Sequence, residues 1–142
     1  MDSAISVIIA TILGSLVGAE REWRRHPGGL RSCALVSAAA CGFAIIGIQY
    51  GGSSPGATLG AIATGVGFLG AGVIMHPDQQ IRGLSTAATF WSVAAVGAAS
   101  GVGAYAVAVA ISMVVLFAHI ALRPLSTWID RRAPPPEDIG PK

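Results

Sequence analysis

Apolar residues in this chain come in long unbroken stretches, and charged residues are confined to the short segments between them. From residue 32 to residue 75 there is no Asp, Glu, Lys, Arg or His, a run of 44 residues. From residue 83 to residue 122 there is no Asp, Glu, Lys or Arg, a run of 40. A helix needs about 20 mostly apolar residues to cross ~30 Å of hydrocarbon. Each run therefore holds two crossings, and each carries a turn signal near its middle: Gly51-Gly52-Ser53-Ser54-Pro55-Gly56 in the first, Ser100-Gly101-Val102-Gly103 in the second. With the apolar stretch ahead of Glu20, the pattern predicts an all-α polytopic membrane bundle of five transmembrane helices, at about residues 3–19, 32–50, 57–75, 84–99 and 104–122. Residues 1–125 then form a transmembrane domain and 126–142 a cytoplasmic tail, where Pro134-Pro135-Pro136 argues for an extended chain with no core of its own.

Composition agrees. Charged residues make up 11% of the chain, about half of what a soluble domain carries, and mean hydropathy is +0.66. The basic residues cluster as Arg21/Arg24/Arg25/Arg31, as Arg82, and as Arg123/Arg131/Arg132, with only Lys142 left over. Cytoplasmic loops carry an excess of Lys and Arg, so these segments are expected inside, which gives an N-out, C-in topology. Trp23 and Trp128 stand where interfacial aromatic anchors belong. Val17-Gly18-Ala19 has the look of a signal cleavage site, but Met1-Asp2 lacks the positive start of a signal peptide, so the first helix is read as retained. Cys33 and Cys41, eight residues apart on one helix, lie too far apart to pair and read as small buried side chains. No aromatic-interleaved basic face suggests nucleic acid. Gly29-Leu30-Arg31-Ser32 and Gly83-Leu84-Ser85-Thr86 open the second and fourth spans alike, as a hairpin repeat or a chance recurrence would; Ser32 and Thr86 suit a helix N-cap or first turn.

Glycine rows come next. Ala10, Gly14 and Gly18 fall four apart on the first helix. The third carries Gly56, Gly60, Thr64 and Phe68 in one row and Ala63, Gly67 and Ala71 in its neighbour, with Gly65, Gly70 and Gly72 between. Such spacing lets helix backbones approach closely in lipid, within one chain or between two, and a homo-oligomer, a dimer first, is expected. Gly65-Val66-Gly67-Phe68-Leu69-Gly70 matches a dinucleotide fingerprint only in letters, since it sits inside an apolar span with no preceding strand.

The first span of 17 residues reaches ~26 Å, so Glu20 sits at the membrane edge, where a carboxylate needs a partner. Glu20, Arg21, Arg24, Arg31 and Arg82 form the candidate charge network, read either as a register-setting ion network or as a binding surface. Ser85, Thr89 and Ser92 fall at i, i+4 and i+7 on the fourth helix, with Thr86 just off that line. They read as helix–helix hydrogen-bonding groups or as the lining of a cavity facing Glu20 and Arg82. His26, His76 and His119 have no metal spacing, no catalytic set is present, and no cofactor is expected.

Four stretches in register carry a resemblance. They are Gly14-Ser-Leu-Val-Gly18-Ala-Glu20-Arg21-Glu22, Pro27-Gly-Gly-Leu-Arg31-Ser32, Gly65-Val-Gly67-Phe-Leu-Gly70-Ala-Gly72-Val-Ile74 and Arg82-Gly-Leu-Ser-Thr86-Ala-Ala-Thr89-Phe-Trp91. Over about residues 10–125 the chain resembles the MgtC/SapB family of bacterial inner-membrane proteins. The resemblance implies a five-span membrane domain, adaptation to low Mg²⁺ and, in pathogens, intracellular survival, through binding and modulating other membrane proteins without carrying Mg²⁺. Many relatives add a cytoplasmic ferredoxin-like (ACT-type) domain, and the chain is read as ending at Lys142 without one. The expectation is a non-enzymatic membrane modulator; the alternative is a small ion transporter or channel.

Overall fold

Each apolar stretch becomes one helix. In the computed structural model, which describes residues 2–52, 54–74 and 82–132, the order is α1 (Ser3–Trp23), α2 (Leu30–Gln49), α3 (Pro55–Ile74), α4 (Leu84–Gly101) and α5 (Tyr105–Asp130). His76 and the Pro134–Pro136 segment lie outside the described residues. Pro55 takes the first position of α3, where a missing N–H leaves nothing unsatisfied. Gly29 and Gly83 precede α2 and α4, which places Ser32 and Thr86 in the first turns and not at the caps; neither helix start has a side-chain cap.

Two helices outrun the expected spans, and both overruns shape the site. The first is α1, which continues through Glu20 and Arg21 to Trp23, fixing both side chains on a rigid element. The second is α5, which continues past Leu122 and through Pro124 to Asp130. Pro124 removes one ladder hydrogen bond. Nearby, the Ser126 hydroxyl donates to the Arg123 carbonyl and the Thr127 hydroxyl to the Pro124 carbonyl.

Four helices are long and apolar enough to cross a membrane: α1, α2, α3 and α5. The exception, α4, is the inner helix. Among the described residues it packs against each of the other four, and no other helix does so. Its surroundings are protein, which is how it keeps Thr86, Thr89 and Ser100 buried.

The bundle is small inside and large outside. Ala10, Ala40, Ala44 and Ala94 are buried, while Ile8, Leu35, Phe68 and Phe117 are 57%, 69%, 81% and 64% exposed. That distribution suits a lipid surround, where close backbone approach holds helices together. Ser37 of α2 is the tightest point. A Cβ on Gly14 of α1 would stand 2.6 Å from the Ser37 Cβ, and one on Gly97 of α4 would run into the Ser37 carbonyl oxygen. The Ser37 hydroxyl donates to the Ala10 carbonyl at 2.7 Å, closing the α1–α2 pair. Trp23 is 90% exposed, and the Trp128 ring lies under the Arg132 guanidinium at 4.1 Å.

Alternation of the five helices gathers the connections at two ends. One end brings together Glu20, His26, Ser85 and Arg123; the other brings together Ser6, Gln49, Pro55, Val102 and Tyr105. The first is the arginine end; the second is lined without charge.

Candidate functional site at the arginine end

The buried face of α1 runs Ser6, Ala10, Gly14, Val17, Gly18, Arg21. Arg21 continues the small-residue stripe by helical phase, so its side chain enters the bundle and is only 2% exposed. There it spends four of a guanidinium's five N–H donors. Nε donates to the Gly28 carbonyl at 3.2 Å and Nη1 to the Thr89 hydroxyl at 3.0 Å. Nη2 donates to the Pro27 carbonyl and to the Thr86 hydroxyl, both at 2.7 Å. One side chain thus fastens the α1–α2 connection to α4. All four acceptors are neutral. A buried charge is tolerated only when it is fully hydrogen-bonded, and this fork of carbonyls and hydroxyls supplies that.

The connection must bend sharply to offer its carbonyls. Gly28 has φ +71, and a Cβ there would also meet the Phe90 ring and Thr86 within 2.8 Å. Only glycine satisfies both the backbone and the space.

Glu20, one position earlier, faces the neighbouring direction, toward α5. Its Oε1 lies 2.5 Å from Arg24 Nε, and its Oε2 lies 3.2 Å from His119 Nδ1. Oε1 and Nδ1 are nevertheless buried atoms without a well-directed hydrogen bond. His119 Nε2 lies 3.1 Å from Thr89 Oγ1, which also donates to the Ser85 carbonyl at 2.7 Å. With that proton committed to Ser85, Thr89 can only accept, from Arg21 on one lone pair and from a His119 Nε2–H on the other. Glu20, His119, Thr89 and Arg21 therefore form one connected chain across α1, α5 and α4.

This chain borders a cavity of about 290 Å³, lined by Glu20, Arg21, Arg24, His26, Ser85 and Arg123 among others. Of the sequence candidates, Glu20, Arg21, Arg24 and Ser85 meet here. Arg31 does not; it is exposed on α2 beside Trp23, Glu22 and Ser32 in a separate shallow depression. Arg82, exposed just ahead of α4, does not line the cavity either. The predicted polar line on α4 divides: Thr86 and Thr89 point inward to Arg21, while Ser85 is exposed and the half-buried Ser92 bonds the Ala88 carbonyl of its own helix. Sequence reasoning passed over His119, Arg123 and the carbonyls of Pro27 and Gly28. For His119 the available signal was its place at the α5 end, near the depth of Glu20.

The predicted packing glycines also divide. Gly14 and Gly18 seat against α2, and Gly70 meets Ala87 of α4 at 3.5 Å. Around Gly60, Gly65, Gly67 and Gly72, no described atom stands within 4 Å of a built Cβ. Gly97 and Gly101, absent from the expected set, make the closest α2–α4 approaches. Cys33 and Cys41 are free and fully buried. Among the described residues, no group of three or more His, Cys, Asp or Glu is placed to hold a metal.

Known proteins match most of the chain. The MgtC family model covers residues 7–128. Protein MgtC of Salmonella typhimurium is 41% identical over 127 residues, 89% of this chain and 55% of its own length. An uncharacterised protein of Synechocystis is 44% identical over 132 residues, 92% of this chain and 56% of its own. Protein MgtC of Brucella abortus is 40% identical over 125 residues, 87% of this chain and 52% of its own. The chain thus spans about half the length of these curated relatives. No solved structure matches.

Proposed function

The chain belongs to the MgtC family and is a multi-pass membrane protein; from that premise we propose a non-enzymatic modulator of the bacterial cytoplasmic membrane that docks other membrane proteins through its arginine end. On this reading the arginine end faces the cytoplasm, as the positive-inside rule expects. The protein serves adaptation to low Mg²⁺ and, in a pathogen, intracellular survival.

The observation that carries the reading is a filled centre. The cavities at the two ends, about 500 and 290 Å³, are separated by layers of buried side chains. One layer is Val17, Cys33, Val93 and Val115; another is Ala10, Cys41 and Ile45. An ion crossing the bundle would meet apolar atoms and tight backbone contacts, and among the described residues these layers hold no carboxylate to replace its hydration shell. A protein that binds at one end and conducts nothing fits this better than a carrier does. The open glycine surface of α3 suits a second copy of the chain, and a dimer is part of the proposal.

Affinity capture from native membranes, with Glu20→Ala and Arg82→Ala proteins alongside, tests the docking. The wild-type chain should retain discrete membrane-protein partners and restore growth in low Mg²⁺; the variants should insert normally and do neither. Reproducible Mg²⁺ flux into liposomes holding only this protein would replace the modulator reading with a transporter.

A further inference from the structure

Three guanidiniums and one carboxylate line the cavity at the arginine end. Arg21, Arg24 and Arg123 supply the positive charge, and Glu20 is the only acid among the described lining residues. That carboxylate is already shared between Arg24 and His119. Arg24 meets it through Nε, and the end-on edge formed by its two Nη groups is a second donor face. Arg21 is hydrogen-bonded only to neutral groups, and Arg123 is exposed on the α5 overrun. Among the described residues the cavity therefore holds three guanidiniums against one carboxylate, plus the exposed Ser85 hydroxyl. Its depth along the bundle matters as much as its charge. It opens where the apolar stretch of α5 gives way to Arg123, beside Leu122, at the height of lipid headgroups.

We propose that this cavity is a binding site for the phosphate group of an anionic membrane phospholipid, held by Arg24 and Arg123 with the Ser85 hydroxyl. Guanidiniums present a planar pair of N–H donors that matches phosphate oxygens, and the lipid's acyl chains would run down the apolar surface of α5. Exposed Ile120, Phe117 and Met113 form that surface. The lipid would supply the anion that the cavity's own single carboxylate leaves unbalanced. The proposal does not depend on protein docking, because it is read on the isolated chain.

The test is lipid retention by the purified full chain in nanodiscs of phosphatidylcholine carrying a minor fraction of spin-labelled phosphatidylglycerol. Wild-type protein should hold phosphatidylglycerol in preference to phosphatidylcholine. Arg123→Gln should lower that preference about tenfold, as the loss of a charge-assisted hydrogen bond to phosphate would. Arg132→Gln removes the same charge outside the cavity and should leave the preference unchanged. Arg24→Gln should match Arg123→Gln where it folds; Arg123, exposed and outside the core, keeps the test valid if it does not. Equal losses in Arg123→Gln and Arg132→Gln would mean general surface charge and would overturn the site. So would equal retention of the two lipids by wild-type protein. Displacement of the lipid by millimolar inorganic phosphate at constant ionic strength would overturn the lipid as the source and leave a soluble phosphate site.

Discussion

The guanidinium of Arg21 and the hydroxyl of Thr89, 68 positions apart in the chain, meet at 3.0 Å inside the bundle. That contact joins the first helix to the inner one and sits beside three further bonds from the same side chain. Replacing Arg21 by Met keeps an apolar stem but removes four hydrogen bonds, leaving the Pro27 and Gly28 carbonyls only longer contacts from the Thr86 hydroxyl and the Cys33 thiol. A loss of about 3 kcal/mol is expected from the four lost bonds together. Arg21→Lys should recover only part, since one ammonium cannot reach acceptors arranged for a planar fork. Unfolding in graded SDS, followed by helical circular dichroism, measures both. Met as stable as wild type would show that the bonds hold nothing.

Ser37 sets a second expectation, about which glycines matter. Gly97→Ala places a methyl against the Ser37 carbonyl, a backbone atom that cannot rotate away. Overpacking of this kind costs about 1–3 kcal/mol. Gly65→Ala meets open space in the interior of α3 and should keep or raise monomer stability, by up to about 1 kcal/mol. Gly65→Leu should leave the monomer folded and weaken any α3-mediated pairing, read by single-molecule photobleaching in lipid. The two alanine variants behaving alike would contradict the packing described here.

How much of this was legible in the sequence differs by level. The helices were, because hydrocarbon demands uninterrupted apolar length and the chain supplies it in blocks. Their ends were less so. Pro124 suggests a stop, yet α5 runs through it, since losing one ladder bond is tolerable near the membrane edge. Arg21 was visible as a charge but not as a buried one. Its phase with Ala10, Gly14 and Val17 held the answer, while the habit of assigning arginines to the surface hid it. On α4, Ser85-Thr89-Ser92 and Thr86-Thr89 are equally regular helical lines. Choosing between them requires knowing where Arg21 stands. The glycine rows show the same limit: spacing records that two backbones could approach, and Gly97 and Gly101 have a neighbour while Gly60 and Gly67 face open space.

Glu20 and His119 tie α1 to α5, with the two side chains 12% and 18% exposed. Because the pair is mostly buried and also feeds Thr89, its members should act together. In a double-mutant cycle, Glu20→Gln and His119→Gln should each destabilise the protein, and the double variant should cost less than their sum by about 1 kcal/mol. Chemical unfolding at one pH supplies all four values. Strict additivity would mean that the 3.2 Å contact is geometric coincidence and that α5 is held by packing alone.

Topology can be read with the two native thiols left in place. Cys33 and Cys41 have no exposed surface, so a membrane-impermeant maleimide should leave the folded wild-type protein unlabelled. Arg31→Cys and Ser126→Cys introduce thiols at exposed positions on α2 and α5 near the arginine end, and Tyr50→Cys introduces one at the opposite end, where Tyr50 is 78% exposed. In intact spheroplasts Tyr50→Cys should label, while Arg31→Cys and Ser126→Cys should label only after permeabilisation. The pairing matters more than the sign. Arg31 and Ser126 must behave alike, because an even number of crossings separates the start of α2 from the end of α5. If they label from opposite sides, one of the five helices does not cross, and the cavity shared by Glu20, Arg24 and Arg123 cannot exist in the membrane.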